Sequence, residues 1–318
     1  MPALDEERLA VAERLRRDLA TENVLLRQQA RAYVRCLQAT WQVPTIQWSD
    51  QESVHQLGDA RRLLHAAHIF RQIEGAESPR AIDCYRRTGE ILEWLVRAAD
   101  NIRLILPIEL LAAAAYQLGG LPAMASGLIS QVVTEHEGVA LYAAFLRADF
   151  DTVLRRAAGF WRSHPDLTVT TAGHLLASIA SEEGPDQDGS RVAWFFMVEL
   201  VRSLGLIADS LRRGDELRLA RALEKLRALD AMAARAFSED AALVLSLIRQ
   251  VAEGYAESTI YKPIRVLSAI NPARSAKLFA YARDQYSRGR GVLWTSQIHG
   301  LQRLPERVND FDTPGLVI

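Results

Sequence analysis

The sequence predicts an all-α fold of stacked helical hairpins, and three observations carry that expectation. Apolar residues recur at three- and four-residue steps through almost every segment, the period of one face of an α-helix. Runs that alternate apolar and polar residues, as a half-buried strand requires, are not found along the sequence. Short helix-breaking pairs, Gly119-Gly120, Ala148-Asp149 and Gly214-Asp215, divide periodic segments into helix-turn-helix outlines.

The elements follow in order. Leu15, Leu19, Leu26, Ala30, Val34 and Leu37 form one apolar stripe with Arg and Glu between, predicting a long first helix that ends before Trp41 and Pro44. Residues 42 to 52 read as a loop by their Pro, Ser and Asp content, with Ser49 or Asp50 suited to cap the next helix. Helices are expected at about 52 to 74 and 79 to 101, where Ser78-Pro79 supplies a cap and a first-turn proline. The longest apolar stretch, Leu104 to Ala115, contains Pro107 and Glu109. It is well short of the roughly twenty residues needed to span a bilayer and reads as a buried helix.

From 107 to 162 the pattern repeats. Leu110 to Leu118, Gly119-Gly120 and a helix from Pro122 form one hairpin; Ala140 to Arg147, Ala148-Asp149 and Phe150 to Trp161 form the next, with Tyr116 and Phe145 in comparable places. A third outline runs Val198 to Leu211, Gly214-Asp215 and Leu217 to Leu229. Ala112 to Ala115 are small enough for a close helix contact. The hairpins resemble tetratricopeptide-type repeats, with a shorter period and without that repeat's full signature. Each has an apolar face it cannot bury alone, so neighbours must stack.

The polar, acidic stretch Ser181 to Ser190 is the best internal linker, after which Trp194, Phe195 and Phe196 restart a buried helix. An amphipathic helix from Ser238 to Tyr255 and a short one near Ala273 to Arg283 complete the array. These breaks divide the chain into an N-terminal helical domain at 1-180, a second helical subdomain at 191-284 and a C-terminal segment at 285-318.

Composition excludes several function classes. At 318 residues and 49% hydrophobic, the chain can bury two cores. With 38 basic against 39 acidic residues there is no global field toward nucleic acid or anionic lipid, so any such contact must be local. Lysine occurs only at Lys225, Lys262 and Lys277; the preference for Arg reads first as the codon composition of a GC-rich genome. Cys36 and Cys84 are too few for a disulfide framework or a structural zinc site. Together with an acidic N-terminus lacking a signal-peptide core, they point to the reducing cytoplasm.

Catalytic constellations are not found. His65 and His68 have the i, i+3 spacing of a metal pair, but no third ligand or H-E-x-x-H accompanies them. His136 and His164 read as turn residues, and Ser126-Gly127 lacks the preceding glycine of a nucleophile elbow. The pairs Arg61-Arg62, Arg86-Arg87, Arg155-Arg156 and Arg212-Arg213 read as solvated helix faces. Arg283, Arg288 and Arg290 stand apart, because Gly289 and Gly291 give their backbone the character of a mobile basic linker.

Tyr286-Ser287-Arg288-Gly289-Arg290-Gly291-Val292-Leu293-Trp294-Thr295-Ser296-Gln297 is followed by an apolar helix face at Leu301 and Leu304, then by Pro314-Gly315-Leu316-Val317-Ile318. This stretch resembles the segment that opens the first motor domain of superfamily 2 DEAD/DEAH-box helicases. In that family a Leu-aromatic-x-x-Gln motif starts a helix and its Gln reads the adenine of ATP. A short buried strand follows about twenty residues later, before the phosphate-binding loop. Gly315 to Ile318 match the start of that strand. Many relatives have Pro where this chain has Thr295. The sequence contains neither G-x-x-x-x-G-K-[ST] nor D-E-x-[DH], so it reads as the leading part of a helicase that ends before its phosphate loop.

The resemblance implies that Gln297 and Trp294 serve the adenine, and that Arg283, Arg288 and Arg290 approach ATP phosphates or a nucleic-acid backbone. It further implies ATP and magnesium as cofactors of the whole protein, DNA or RNA as its substrate, and a motor domain joined in cis. Similar helicases include large bacterial ones of phage-defence and DNA-processing systems. The other reading is a free-standing helical-repeat scaffold that binds a protein partner through the concave face of its hairpins.

Overall fold

A computed structural model describes residues 2–22, 50–98, 107–134, 137–163, 190–236, 239–293, 297–298 and 300. Among them are twelve α-helices and one 3-10 turn, with no strand beyond an isolated bridge between Thr259 and Val292. The protein is an all-α array of packed helix pairs. The helices are α1 (Pro2–Glu22), α2 (Asp50–Glu74), α3 (Pro79–Ala98), α4 (Ile108–Leu118), α5 (Pro122–Gln131), α6 (Glu137–Leu146) and α7 (Phe150–Ser163). They continue with α8 (Ser190–Arg213), α9 (Glu216–Ala236), α10 (Glu239–Glu257), α11 (Tyr261–Ile270) and α12 (Ser275–Ser287), the last preceded by the 3-10 turn Pro272–Arg274. No helix among the described residues is long and apolar enough to cross a membrane.

The chain divides into two compact units, Met1–Val133 with Ala236–Val251, and Thr134–Arg235 with Ala252–Ile318. In the first unit each helix packs on the next, from α1 through α5. Leu19 is buried on α1, while Leu26, Ala30, Val34 and Leu37 of the expected stripe lie outside the described residues. Ser78 caps α3: its Oγ accepts from the Ala81 N–H at 3.2 Å, and Pro79 follows in the first turn. Polar contacts then fix how the helices meet. Glu13 of α1 accepts from Arg16 at 3.0 Å, Arg17 at 3.1 Å and Arg80 at 3.3 Å, and Arg16 reaches Asp83 at 3.2 Å. Gln250, fully buried on α10, accepts from Tyr85 Oη at 2.5 Å.

Ala112, Ala113, Ala114 and Ala115 are all fully buried on α4, as their size predicts. The helix they belong to packs against both α3 and α5. A close approach occurs at Gly89 of α3, where a Cβ would lie 2.7 Å from the Tyr116 ring. Tyr116 then donates to Glu93 at 2.7 Å, one turn further along α3.

Three turns join the hairpins, and they are the same turn. At Gly120, Ala148 and Gly214 the backbone enters the left-handed region, with φ of 71°, 54° and 69°. The next N–H in each case reaches back to the carbonyl five residues earlier: Leu121 to Tyr116 at 2.9 Å, Asp149 to Ala144 at 3.0 Å, Asp215 to Ser210 at 2.9 Å. This is the Schellman ending of a helix. The residue after the left-handed one also caps the following helix. Asp149 accepts from the Thr152 N–H at 3.1 Å and Asp215 from the Arg218 N–H at 3.0 Å, while at Leu121 the next residue, Pro122, has no N–H to satisfy. Superposing the turns corrects one expectation. Tyr116 corresponds to Ala144, so Phe145 stands one position later, opposite Gln117.

In the second unit α8 packs on both α6 and α7, while α12 packs on α8 and α11. Helix α11 lies between the two helices expected at Ser238 to Tyr255 and Ala273 to Arg283, where the sequence predicts none. Pro263 stands in the first turn of α11, where its missing donor is harmless.

Candidate functional site

The C-terminal segment singled out by its motif rests on an aromatic base. Tyr286, at the end of α12, stacks on Tyr261 with centroids 5.5 Å apart and planes 16° apart. It also meets Phe150 at 5.9 Å. Phe150 in turn meets Tyr255 at 5.8 Å and Phe145 at 6.2 Å, and Phe279 stacks on Tyr261 at 6.1 Å. Such offset and edge contacts add to the burial of the rings themselves. Burial pushes the phenols of Tyr255 and Tyr286 above the ordinary tyrosine range. That of Tyr261 is raised by burial too, against the opposing pull of Arg283, Arg265 and Arg212.

On this base the chain reverses. Gly289, with φ of 69°, ends α12 by the same Schellman pattern, Arg290 N–H reaching Gln285 O at 2.8 Å. The chain then pairs with residues 258–260: Ile260 N–H donates to Gly291 O at 2.9 Å and Leu293 N–H to Ser258 O at 2.8 Å. Thr259 Oγ1 and Tyr286 Oη share a hydrogen bond of 2.6 Å beneath. Gly291 lies against the Tyr286 ring so closely that any side chain there would collide with it. These contacts correct the expectation of a mobile linker. Gly289 supplies a left-handed helix ending and Gly291 a close packing contact, and neither acts as a hinge.

The predicted site residues are placed unevenly. Arg283, Arg288 and Arg290 are all exposed. Arg288 pairs with Asp284 at 2.9 Å, and Arg283 lies on the flank of α12 toward Tyr261. Gln297 is helical and half-buried. Trp294 lies outside the described residues. Arg274, at the entrance to α12, and Lys277 and Tyr281 along it, all exposed, are not among the residues the sequence singles out. The available signal was the single carboxylate, Asp284, in the sequence from 258 to 293.

Other candidates resolve as structural. His65 is exposed, while His68 Nε2 faces the Arg249 guanidinium at 3.5 Å. No cluster of three metal-ligating side chains occurs among the described residues. Ser126 is exposed on α5, and His136 and His164 lie outside the described residues. Arg86 donates to Gly119 O at 2.7 Å, Arg62 pairs with Asp59, Arg212 with Asp151 at 3.0 Å and Arg213 with Asp209 at 2.7 Å. Cys84 is buried, and desolvation pushes its thiol up to about 12, out of reach of nucleophilic chemistry at neutral pH. Cys36 lies outside the described residues.

No protein-family model matches the chain, and no curated protein matches its sequence.

Proposed function

We propose that the chain is the helical leading region of an ATP-dependent nucleic-acid helicase, in which it docks or regulates a motor that begins within residues 285-318. The observation that carries this reading is the run Leu293-Trp294-Thr295-Ser296-Gln297, which leaves a clamped aromatic base and has helical backbone at Gln297 and Ile298. An amide can accept from the adenine N6 amino group and donate to N7, a pattern that guanine reverses at its 6-position, so Gln297 suits ATP over GTP. In this reading Trp294 would brace that helix or stack near the base. Magnesium and the β- and γ-phosphates fall to motor residues that this sequence does not contain. The reading places the protein in the cytoplasm, with DNA or RNA as the polymer and phage defence or DNA processing as its setting.

The test uses a protein extended through the motor. Gln297→Ala should raise the KM for ATP and weaken the preference over GTP, with folding little changed. Residues 1 to 318 alone should hydrolyse no ATP. Unaltered nucleotide preference in the variant, or nucleic-acid-stimulated hydrolysis by the chain alone, would overturn the proposal. The second reading, a free-standing scaffold for a protein partner, draws on the thrice-repeated hairpin turn. A phosphate loop in the reading frame after Ile318 supports the first reading, and a stop codon there supports the second.

A further inference from the structure

Residues 258–293 contain seven Lys and Arg against the single Asp284, in a chain whose formal charge is -1. Of these, Arg265 pairs with Glu216 and Arg288 with Asp284. Charge here is concentrated, and α12 sorts it. Ala282 and Tyr286 mark the buried side of that helix. At 100° per residue, Lys277, Tyr281 and Arg288 fall in one arc on the far side, with Arg274 at the entrance. All four side chains are exposed. The stripe runs about 21 Å at 1.5 Å per residue, and Arg290 extends it past the helix end.

Tyr281 is the second, independent observation. It is 54% exposed, whereas the other six tyrosines among the described residues are buried. Among the Phe, Tyr and Trp side chains whose exposure is described, no other is exposed. Its cationic neighbours stand four residues before it, at Lys277, and seven on either side, at Arg274 and Arg288. A ring with a free face between cations is how proteins hold unpaired bases and their phosphates together. Duplexes offer phosphates without an open base face. The one carboxylate, Asp284, neutralises Arg288 through a pair exposed on both sides, and such pairs are weak enough to exchange for phosphate.

We propose that this face of α12 binds single-stranded nucleic acid, with Arg274, Lys277 and Arg288 on phosphates of one strand and Tyr281 stacked on a base. The choice of polymer rests in part on the helicase reading, but the test uses no nucleotide and no motor, so the two fail separately. Residues 1 to 318 are titrated into a fluorescein-labelled single strand of about twenty nucleotides and mixed sequence, well above the usual site size, and anisotropy is followed as salt is raised. Binding should weaken with a log–log slope of about −2, as three phosphate contacts on a single strand require. Lys277→Glu should weaken binding and flatten the slope by about one, and Tyr281→Ala should cost on the order of tenfold in affinity. Asp284→Asn should tighten binding, a gain that loss of folding cannot imitate. Arg156→Glu, an exposed change on α7, should leave it unaltered. The proposal is overturned if the wild type ignores the strand at low salt, if duplex of the same sequence binds as tightly, or if Lys277→Glu and Tyr281→Ala bind like wild type. Binding to phosphatidylserine vesicles without binding to the oligonucleotide would overturn it equally.

Discussion

Glu13 shows how one side chain organises a helix contact. Hydrogen bonding from Arg16, opposed by partial burial and reinforced by Arg17 and Arg80, holds its carboxyl at about 2, against an ordinary 4.5. A carboxylate with a depressed pKa stabilises the folded state fully above its unfolded value and loses that contribution as pH falls through the folded one. The stability gap between wild type and Glu13→Gln should therefore be constant above pH 4.5 and close as pH falls toward 2. Denaturant titrations at a series of acid pH values would measure it, and a gap independent of pH would remove Glu13 from the account. Ala148 makes the opposite case, a residue at odds with its backbone. Its φ of 54° costs an L-residue about 1 to 2 kcal/mol. Glycine relieves that strain but returns about 0.4 to 1 kcal/mol of unfolded-state entropy. Ala148→Gly should thus stabilise by about 0 to 1.6 kcal/mol. At the equivalent Gly214 the reverse change must fail, since a Cβ would lie 2.8 Å from the Tyr261 ring.

At the scale of elements, the hairpin turns were legible because their chemistry is local. Gly119-Gly120, Ala148-Asp149 and Gly214-Asp215 announce a left-handed residue, which each turn has, and the two aspartates announce the caps that Asp149 and Asp215 supply. The register of Tyr116 against Phe145 was not legible, since it depends on which residue of each pair turns left-handed. Helix α11 was hidden for a different reason: Pro263 breaks a helix interior but suits a first turn, and only the fold says which it is. The clamp at Gly291 was hidden because flexibility is what glycine shows in a sequence, whereas a missing Cβ filled by a tyrosine ring is a tertiary fact. The alanines of α4 lend themselves to measurement. Ala113→Leu adds three carbons at a fully buried position and should cost about 1 to 3 kcal/mol by overpacking. An unchanged denaturation midpoint would show that the contact has room to spare.

For the molecule as a whole, the described residues form two compact units of packed helices, and everything proposed about nucleotide and nucleic acid falls in the second. The clamp that ends α12 bears on what is joined to it. The chain departs along residues 258–260, held side by side through Ile260 to Gly291 and Ser258 to Leu293. A pull along that direction loads the two bonds in shear, so they resist together instead of peeling one after the other. The force passes on to the Thr259–Tyr286 bond and the Tyr261 stack. An Arg-Gly-Arg-Gly tether would let residues 291–293 swing freely; this joint makes them turn with α11 and α12, so that a load on them is borne by the two helices as a unit.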